Sequence, residues 1–187
     1  EADHAGEGSH HAVVARHEHP AGGGLDHEVA HGPQGHVDRA VGAGDRDGNL
    51  SCVDAPFGRI LKIAPDRQVS IVCTYDGIPN GLKIHKDGEI FVTDRVNGLM
   101  RLDPVSGRIA PFLPAERLQP GYRGLNDLVF ARNGDLYFTD QGDTGLQDPT
   151  GRVFRLRPDG RLDCLLANVP SPNGIVLNPA ETYLFIA

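Results

Sequence analysis

Short apolar runs alternate with tight-turn dipeptides along the chain from Asp45 to Ala187. Leu50 to Val53, Ile60 to Ile63, Val69 to Thr74, Leu82 to Ile84, Ile90 to Thr93 and Leu99 to Leu102 read as strands. So do Leu128 to Phe130, Leu136 to Thr139, Val153 to Leu156, Leu162 to Leu166, Ile175 to Leu177 and Tyr183 to Ile186. These runs are rich in Ile, Val, Leu, Phe and Tyr, side chains that suit a pleated, half-buried surface. Asp47-Gly48, Asp87-Gly88, Asn97-Gly98, Ser106-Gly107, Asn133-Gly134 and Asp159-Gly160 separate them and supply the positive φ of tight hairpins. No stretch carries the 3.6-residue period of an amphipathic helix. The pattern predicts an all-β protein.

The pattern also repeats. Asn80, Asp87-Gly88 and Asp94 share their spacing with Asn126, Asn133-Gly134 and Asp140. Asn173 opens a further copy whose turn falls near Ala180-Glu181, and Asp47-Gly48 with Asp54 form an earlier partial one. The turns at positions 47, 87, 133 and 180 lie 40 to 47 residues apart, the spacing of blades in a β-propeller. The 143 residues from Asp45 to Ala187 are enough for roughly three blades of about 45 residues, too few for a closed ring. Equivalent positions of successive blades face one axis, so the three asparagines are expected to converge at a channel mouth.

Residues 1–44 break the pattern. Eight of the nine histidines lie there, His10-His11 and His17-x-His19 the densest, with no Phe, Tyr, Trp or Ile. The only sizeable apolar cluster is Ala12 to Ala15. Such a segment buries too little apolar surface to offset its ordering entropy, so it is expected to be disordered or an out-of-frame reading of a GC-rich gene. Histidine tracts can bind zinc, copper or nickel, but no spacing here matches a closed zinc site. The chain divides into 1–44 and 45–187.

A net charge of −7 and a pI near 5.6 argue against a nucleic-acid or membrane-surface partner, which would call for a basic face. No apolar run approaches the roughly 18 residues of a bilayer span. The first 30 residues lack the layout of a signal peptide, which leaves the compartment open with a lean toward the cytoplasm. Cys52, Cys73 and Cys164 are odd in number and widely spaced. They read as small buried hydrophobes in strands rather than as a metal or disulfide set.

An asparagine at the start of an inner strand offers a carbonyl oxygen for a hard cation and an amide for a polar substrate. The competing reading is a turn residue satisfying local backbone groups. Asp54, Asp94 and Asp140 are expected to cap inter-blade turns by accepting backbone N–H groups. His85, alone in the β-region beside Lys86, is expected to be exposed. No GxSxG is present, and none of Ser51, Ser70, Ser106 and Ser171 lies near a histidine in sequence.

The strings Ile78 to Asp94, Leu125 to Asp140 and Ser171-Pro-Asn-Gly-Ile-Val-Leu-Asn-Pro resemble the SMP-30/gluconolactonase/luciferin-regenerating-enzyme-like family. The resemblance implies a six-bladed propeller that hydrolyses sugar lactones with one divalent cation, often Ca²⁺, at the channel mouth. In such enzymes the cation polarises the lactone carbonyl and a carboxylate ligand serves as general base. Carried across, Asn173 matches a metal-ligating asparagine. Asn126 matches the asparagine that touches substrate or metal-bound water, so it is a candidate for metal, substrate and catalytic roles. Arg123 is a candidate substrate contact, and Asn80 a channel-lining one.

The departures from that pattern also matter. The family's first ligand, a glutamate, falls at Ala40, and its aspartate ligand would lie beyond Ala187. The chain thus holds one of three expected ligands and neither anionic one, and is expected to be an inactive fragment that binds Ca²⁺ weakly or not at all. The alternative is a non-catalytic propeller scaffold that self-associates through exposed blade flanks. A strictosidine-synthase-like propeller enzyme shares the architecture and fits the asparagine strings less well.

Overall fold

The computed structural model describes residues 13–16 and 42–187. Strand β1 (Val13–Arg16) stands apart from the first four-stranded sheet, which comprises β2 (Gly42–Gly44), β3 (Leu50–Asp54), β4 (Arg59–Ile63) and β5 (Val69–Thr74). The second sheet holds β6 (Pro79–Ile84), β7 (Ile90–Asp94), β8 (Gly98–Leu102) and β9 (Ile109–Pro114). The third holds β10 (Leu125–Phe130), β11 (Leu136–Asp140), β12 (Gly151–Leu156) and β13 (Leu162–Val169). In each sheet the spatial order follows the sequence and every pair is antiparallel. A fourth sheet begins with β14 (Ile175–Leu177) and β15 (Tyr183–Ile186), and β1 adds to it with Val13 opposite Ile186 and Arg16 opposite Tyr183. These are three β-propeller blades and the start of a fourth.

The two-residue period of the strands distributes the core. Ile90, Val92 and Met100 project to one side of the second blade, where they meet Ile60 and Cys73 of the first. Phe91 and Leu99 project to the other side and meet Leu128, Phe138 and Phe154 of the third. Tyr137 and Val153 leave the far side of the third blade to pack on Ile175, Leu184 and Ile186. Each blade thus contributes one face to each of two seams, as alternation across a strand requires.

Several expectations change. The first blade begins at Gly42, three residues before Asp45, in a Gly-Ala-Gly strand that has no propensity signal. Strand β9 was not expected because Pro111 and Pro114 interrupt it. It is the outer, edge strand of its blade, where a missing N–H costs no ladder bond. The expected disorder of 1–44 concerns mainly residues outside those described, but Val13–Arg16, from the segment's one apolar cluster, forms a strand. Cys73 is buried and Cys52 partly so, whereas Cys164 is exposed; all three thiols are free. His85 is not an exposed residue. Its ring lies 4.9 Å from that of Phe130 and 6.0 Å from that of Phe91, and its Nδ1 is 2.8 Å from Asp87 Oδ2.

Candidate functional site at the starts of the inner strands

Asn80 and Asn126 occupy the same irregularity in successive blades. The ladder slips between Pro79 and Leu82 on β6, and between Leu125 and Leu128 on β10. Each slip is a bulge with one extra residue, a device that re-aims side chains and leaves backbone groups unpaired. A threonine opposite each bulge satisfies those groups. The Gly81 N–H donates to Thr93 Oγ1 at 2.7 Å, and the Thr93 hydroxyl donates to the Asn126 carbonyl of the next blade at 2.6 Å. One blade on, the Asp127 N–H donates to Thr139 Oγ1 at 3.1 Å and the Thr139 hydroxyl donates to the Asn173 carbonyl at 2.8 Å. Asn126 and Asn173 are thereby stitched to the preceding blade through their carbonyls, leaving their side chains to other work.

The following aspartates anchor turns, but only Asp140 accepts N–H groups from an inter-blade connection as expected; Asp94 caps the β7–β8 hairpin of its own blade. Asp94 Oδ1 accepts the N–H groups of Val96 and Asn97, both at 2.7 Å, while its Oδ2 accepts the Tyr75 hydroxyl at 2.8 Å. Burial and the nearby Asp94 push the Tyr75 phenol up, which keeps it a donor. Asp140 Oδ1 accepts the N–H groups of Arg123 and Gly124 at 2.9 and 2.7 Å, and Arg152 pairs with its Oδ2 at 2.5 Å. Asp54 differs: its Oδ2 pairs with Arg59 at 2.5 Å.

The side chains of the candidate residues fare differently. Asn126 is 8 % exposed, and its Nδ2 donates to Gln141 Oε1. Gln141 Nε2 in turn donates to Ser171 Oγ at 2.7 Å, two residues before Asn173. Asn80 is half-buried and Asn173 exposed, and neither side chain has a hydrogen-bond partner among the described residues. Arg123 is directed to Asp148, 3.8 Å away, on the connection from β11 to β12. Asp127 sits between three blades, its Oδ2 accepting the Ile175 N–H at 3.2 Å and its Oδ1 3.5 Å from Lys83 Nζ. Gln141, Thr93 and Thr139 went unnoticed in the sequence. The repeat held the signal: each threonine directly precedes a turn aspartate, and Gln141 directly follows one.

The family model for the SMP-30/gluconolactonase/LRE-like region matches residues 41–187. The chain belongs to that family. Among family relatives, the gluconolactonase of Zymomonas mobilis is 34 % identical over 165 residues, covering 76 % of this chain and 46 % of its own. The lactonase drp35 of Staphylococcus aureus is 29 % identical over 150 residues, covering 76 % and 45 %. A gluconolactonase structure from Xanthomonas campestris superposes with a TM-score of 0.67 at 23 % identity, over 78 % of this chain and 52 % of that one. Regucalcin from Agrobacterium tumefaciens, described as a calcium-binding protein, superposes at 0.60 with 18 % identity, over 74 % and 46 %. The chain thus spans about half the length of the SMP-30/gluconolactonase relatives it matches.

Proposed function

We propose that this chain carries part of the substrate site of a sugar-lactone hydrolase. The observation that supports this reading most is Asn126: a nearly wholly buried amide, held at a bulge at the start of an inner strand, whose Oδ1 has no partner among the described residues. It lies within the region shared with the gluconolactonase relative. Asn126 holds a hydroxyl of the sugar lactone, with Asn80 and Asn173 presenting further amides along the same mouth. Arg123, tied to Asp148, contributes positive charge at the rim rather than a free guanidinium.

Turnover needs more than this. The divalent cation implied by the resemblance does not fit the described residues. Asn126 and Asn173 offer neutral oxygens only, and no three His, Cys, Asp or Glu side chains gather among the described residues, whereas hard cations are held chiefly by carboxylates. Among the described carboxylates near Asn126, Asp140 is committed to two N–H groups and Arg152, and Asp127 gives Oδ2 to the Ile175 N–H while its buried Oδ1 faces Lys83 without a hydrogen bond. His85 follows the opposite end of β6 from Asn80. The chain on its own therefore binds a lactone without hydrolysing it. Calorimetric titration with glucono-1,5-lactone should show weak binding that Asn126→Ala abolishes, and a pH-stat should record acid release at the buffer rate. Absence of lactone binding defeats the reading; hydrolysis stimulated by Ca²⁺ defeats the inactivity.

The scaffold reading draws on exposed apolar side chains at the two open flanks, Val69 and Ile71 on β5 and Val176, Tyr183 and Phe185 on the fourth sheet. It requires a discrete dimer in size-exclusion chromatography, and monomeric elution removes it.

A further inference from the structure

A primary amide can turn either its oxygen or its nitrogen toward a ligand, and the two ends select opposite partners. At Asn126 the choice is made by Gln141. Asn126 Nδ2 donates to Gln141 Oε1, and Gln141 Nε2 passes the chain on to Ser171 Oγ at 2.7 Å. A neutral, two-ended side chain is needed to accept from one residue while donating to the next without adding charge to the mouth. The Gln141 backbone is pinned on both sides. Its N–H donates to the Gly124 carbonyl at 3.0 Å, and its own carbonyl accepts the Thr144 N–H at 3.2 Å and the Thr144 hydroxyl at 2.6 Å. Thr144 Oγ1 also accepts the Ser171 N–H at 3.3 Å, holding the far end of the relay. In the preceding blade the equivalent residue, Arg95, is spent on Asp143 at 2.6 Å, so the relay is particular to the third blade.

We propose that Gln141 is a positioning residue that locks the Asn126 amide with Oδ1 facing the mouth. With one Nδ2 hydrogen committed to Gln141, Asn126 meets the ligand through its oxygen, an acceptor: it takes hydroxyl groups of a polyhydroxylated lactone, and that oxygen does not bind the ester carbonyl. The ligand class rests on the lactonase reading; the locked amide does not.

The test uses the full 187-residue chain and its Gln141→Leu, Gln141→Glu and Ser171→Ala variants. In ¹⁵N spectra the Asn126 side-chain amide should exchange slowly with water in the parent and in Gln141→Glu, which keeps an acceptor for Nδ2. It should exchange freely in Gln141→Leu and at an intermediate rate in Ser171→Ala, which folds with the smaller perturbation. Affinities are then measured at mildly acidic pH, where the lactone persists, for glucono-1,5-lactone and for δ-valerolactone, an ester without hydroxyls. Gln141→Leu should weaken gluconolactone about tenfold, the loss of one well-made hydrogen bond, and leave δ-valerolactone unchanged. Equal amide exchange in the parent and in every variant overturns the proposal, as does parallel weakening of both lactones. If neither lactone binds the parent, the lactonase reading falls, and amide exchange alone decides whether Gln141 positions Asn126.

Discussion

Strands β7 and β11 are buried at all five positions, whereas β3, their counterpart in the first blade, is buried only at Ser51. The sequences are alike in kind: Ile-Phe-Val-Thr-Asp, Leu-Tyr-Phe-Thr-Asp and Leu-Ser-Cys-Val-Asp. The difference lies in the surroundings. Strands β7 and β11 have a packed sheet on each side. Strand β3 has one, and on the other face Leu50, Cys52, Leu61, Ile63, Val69 and Ile71 line up across β3, β4 and β5 with no described sheet against them. The chemistry of the seams differs too. Thr93 and Thr139 cross to the next blade, but Val53 stands at their position and offers no hydroxyl to the Asn80 carbonyl. In a repeat fold a blade is only as firmly held as its neighbours allow.

The contrast should be visible in unfolding experiments. The largest effect belongs to the turn aspartates. Asp140→Ala strips two N–H groups of their acceptor and leaves Arg152 unpaired, and should cost about 3–5 kcal/mol in urea unfolding followed by circular dichroism. Asp54→Ala, whose partner Arg59 is part-exposed, should cost about 0.2–1 kcal/mol; equal costs would erase the distinction between the blades. Next come the seams. Thr139→Val should lose about 1–3 kcal/mol by orphaning the Asp127 N–H and the Asn173 carbonyl. The converse change, Val53→Thr, should gain about 0.5–1.5 kcal/mol by supplying the missing stitch, and the difference in denaturation midpoint reads both.

Two glycines at the same repeat position provide a smaller, cleaner contrast. A Cβ at Gly81 would lie 2.7 Å from the Asn126 carbonyl oxygen and 2.8 Å from Asp127 Cα, whereas at Gly174 the nearest atom is 3.9 Å away. Gly81→Ala should destabilise by about 1–3 kcal/mol and Gly174→Ala by less than about 0.5 kcal/mol. At the bottom of the scale the contrast should vanish. Hydrogen bonds within their own turns hold Asp45, Asp87 and Asp103 below the ordinary carboxyl value of 3.8, chiefly from Asn49, His85 and Ser106 respectively. A folded pKa below the unfolded one means that the ionised form favours the fold. The contribution is therefore full above that value and lost as pH falls through the folded values. An acid titration should show a shallow decline beginning near pH 4, and alanine at any one of the three should flatten it alike.

The blade count, the strand runs and the turn residues were legible because apolar alternation and Asn-Gly or Asp-Gly turns are local signals. Strand β9 was not, because Pro111 opposes strand propensity and only an outer position in the sheet makes it harmless. The asparagines were legible as a set, but not their inequality. Asn126 is buried and bonded to Gln141, 15 residues on, while Asn173 is open to solvent, and neither condition is written within a few residues of the asparagine. Arg123 was legible as a candidate from its place before Asn126, but its neighbour Asp148 was not, since it lies on a connection 25 residues further on. His85 looked isolated because Phe91 and Phe130 approach it only through the sheet register and the seam.

The pairing of β1 with β15 has a mechanical consequence. Val13 lies opposite Ile186, so a stretching force applied through residue 12 and Ala187 would act at the same end of that ladder. The rungs would then be loaded one after another rather than together, and the strand would peel away like a zip. A single-molecule tether on the two termini should therefore release β1 first, as a separate low-force step, before any blade-to-blade seam gives way.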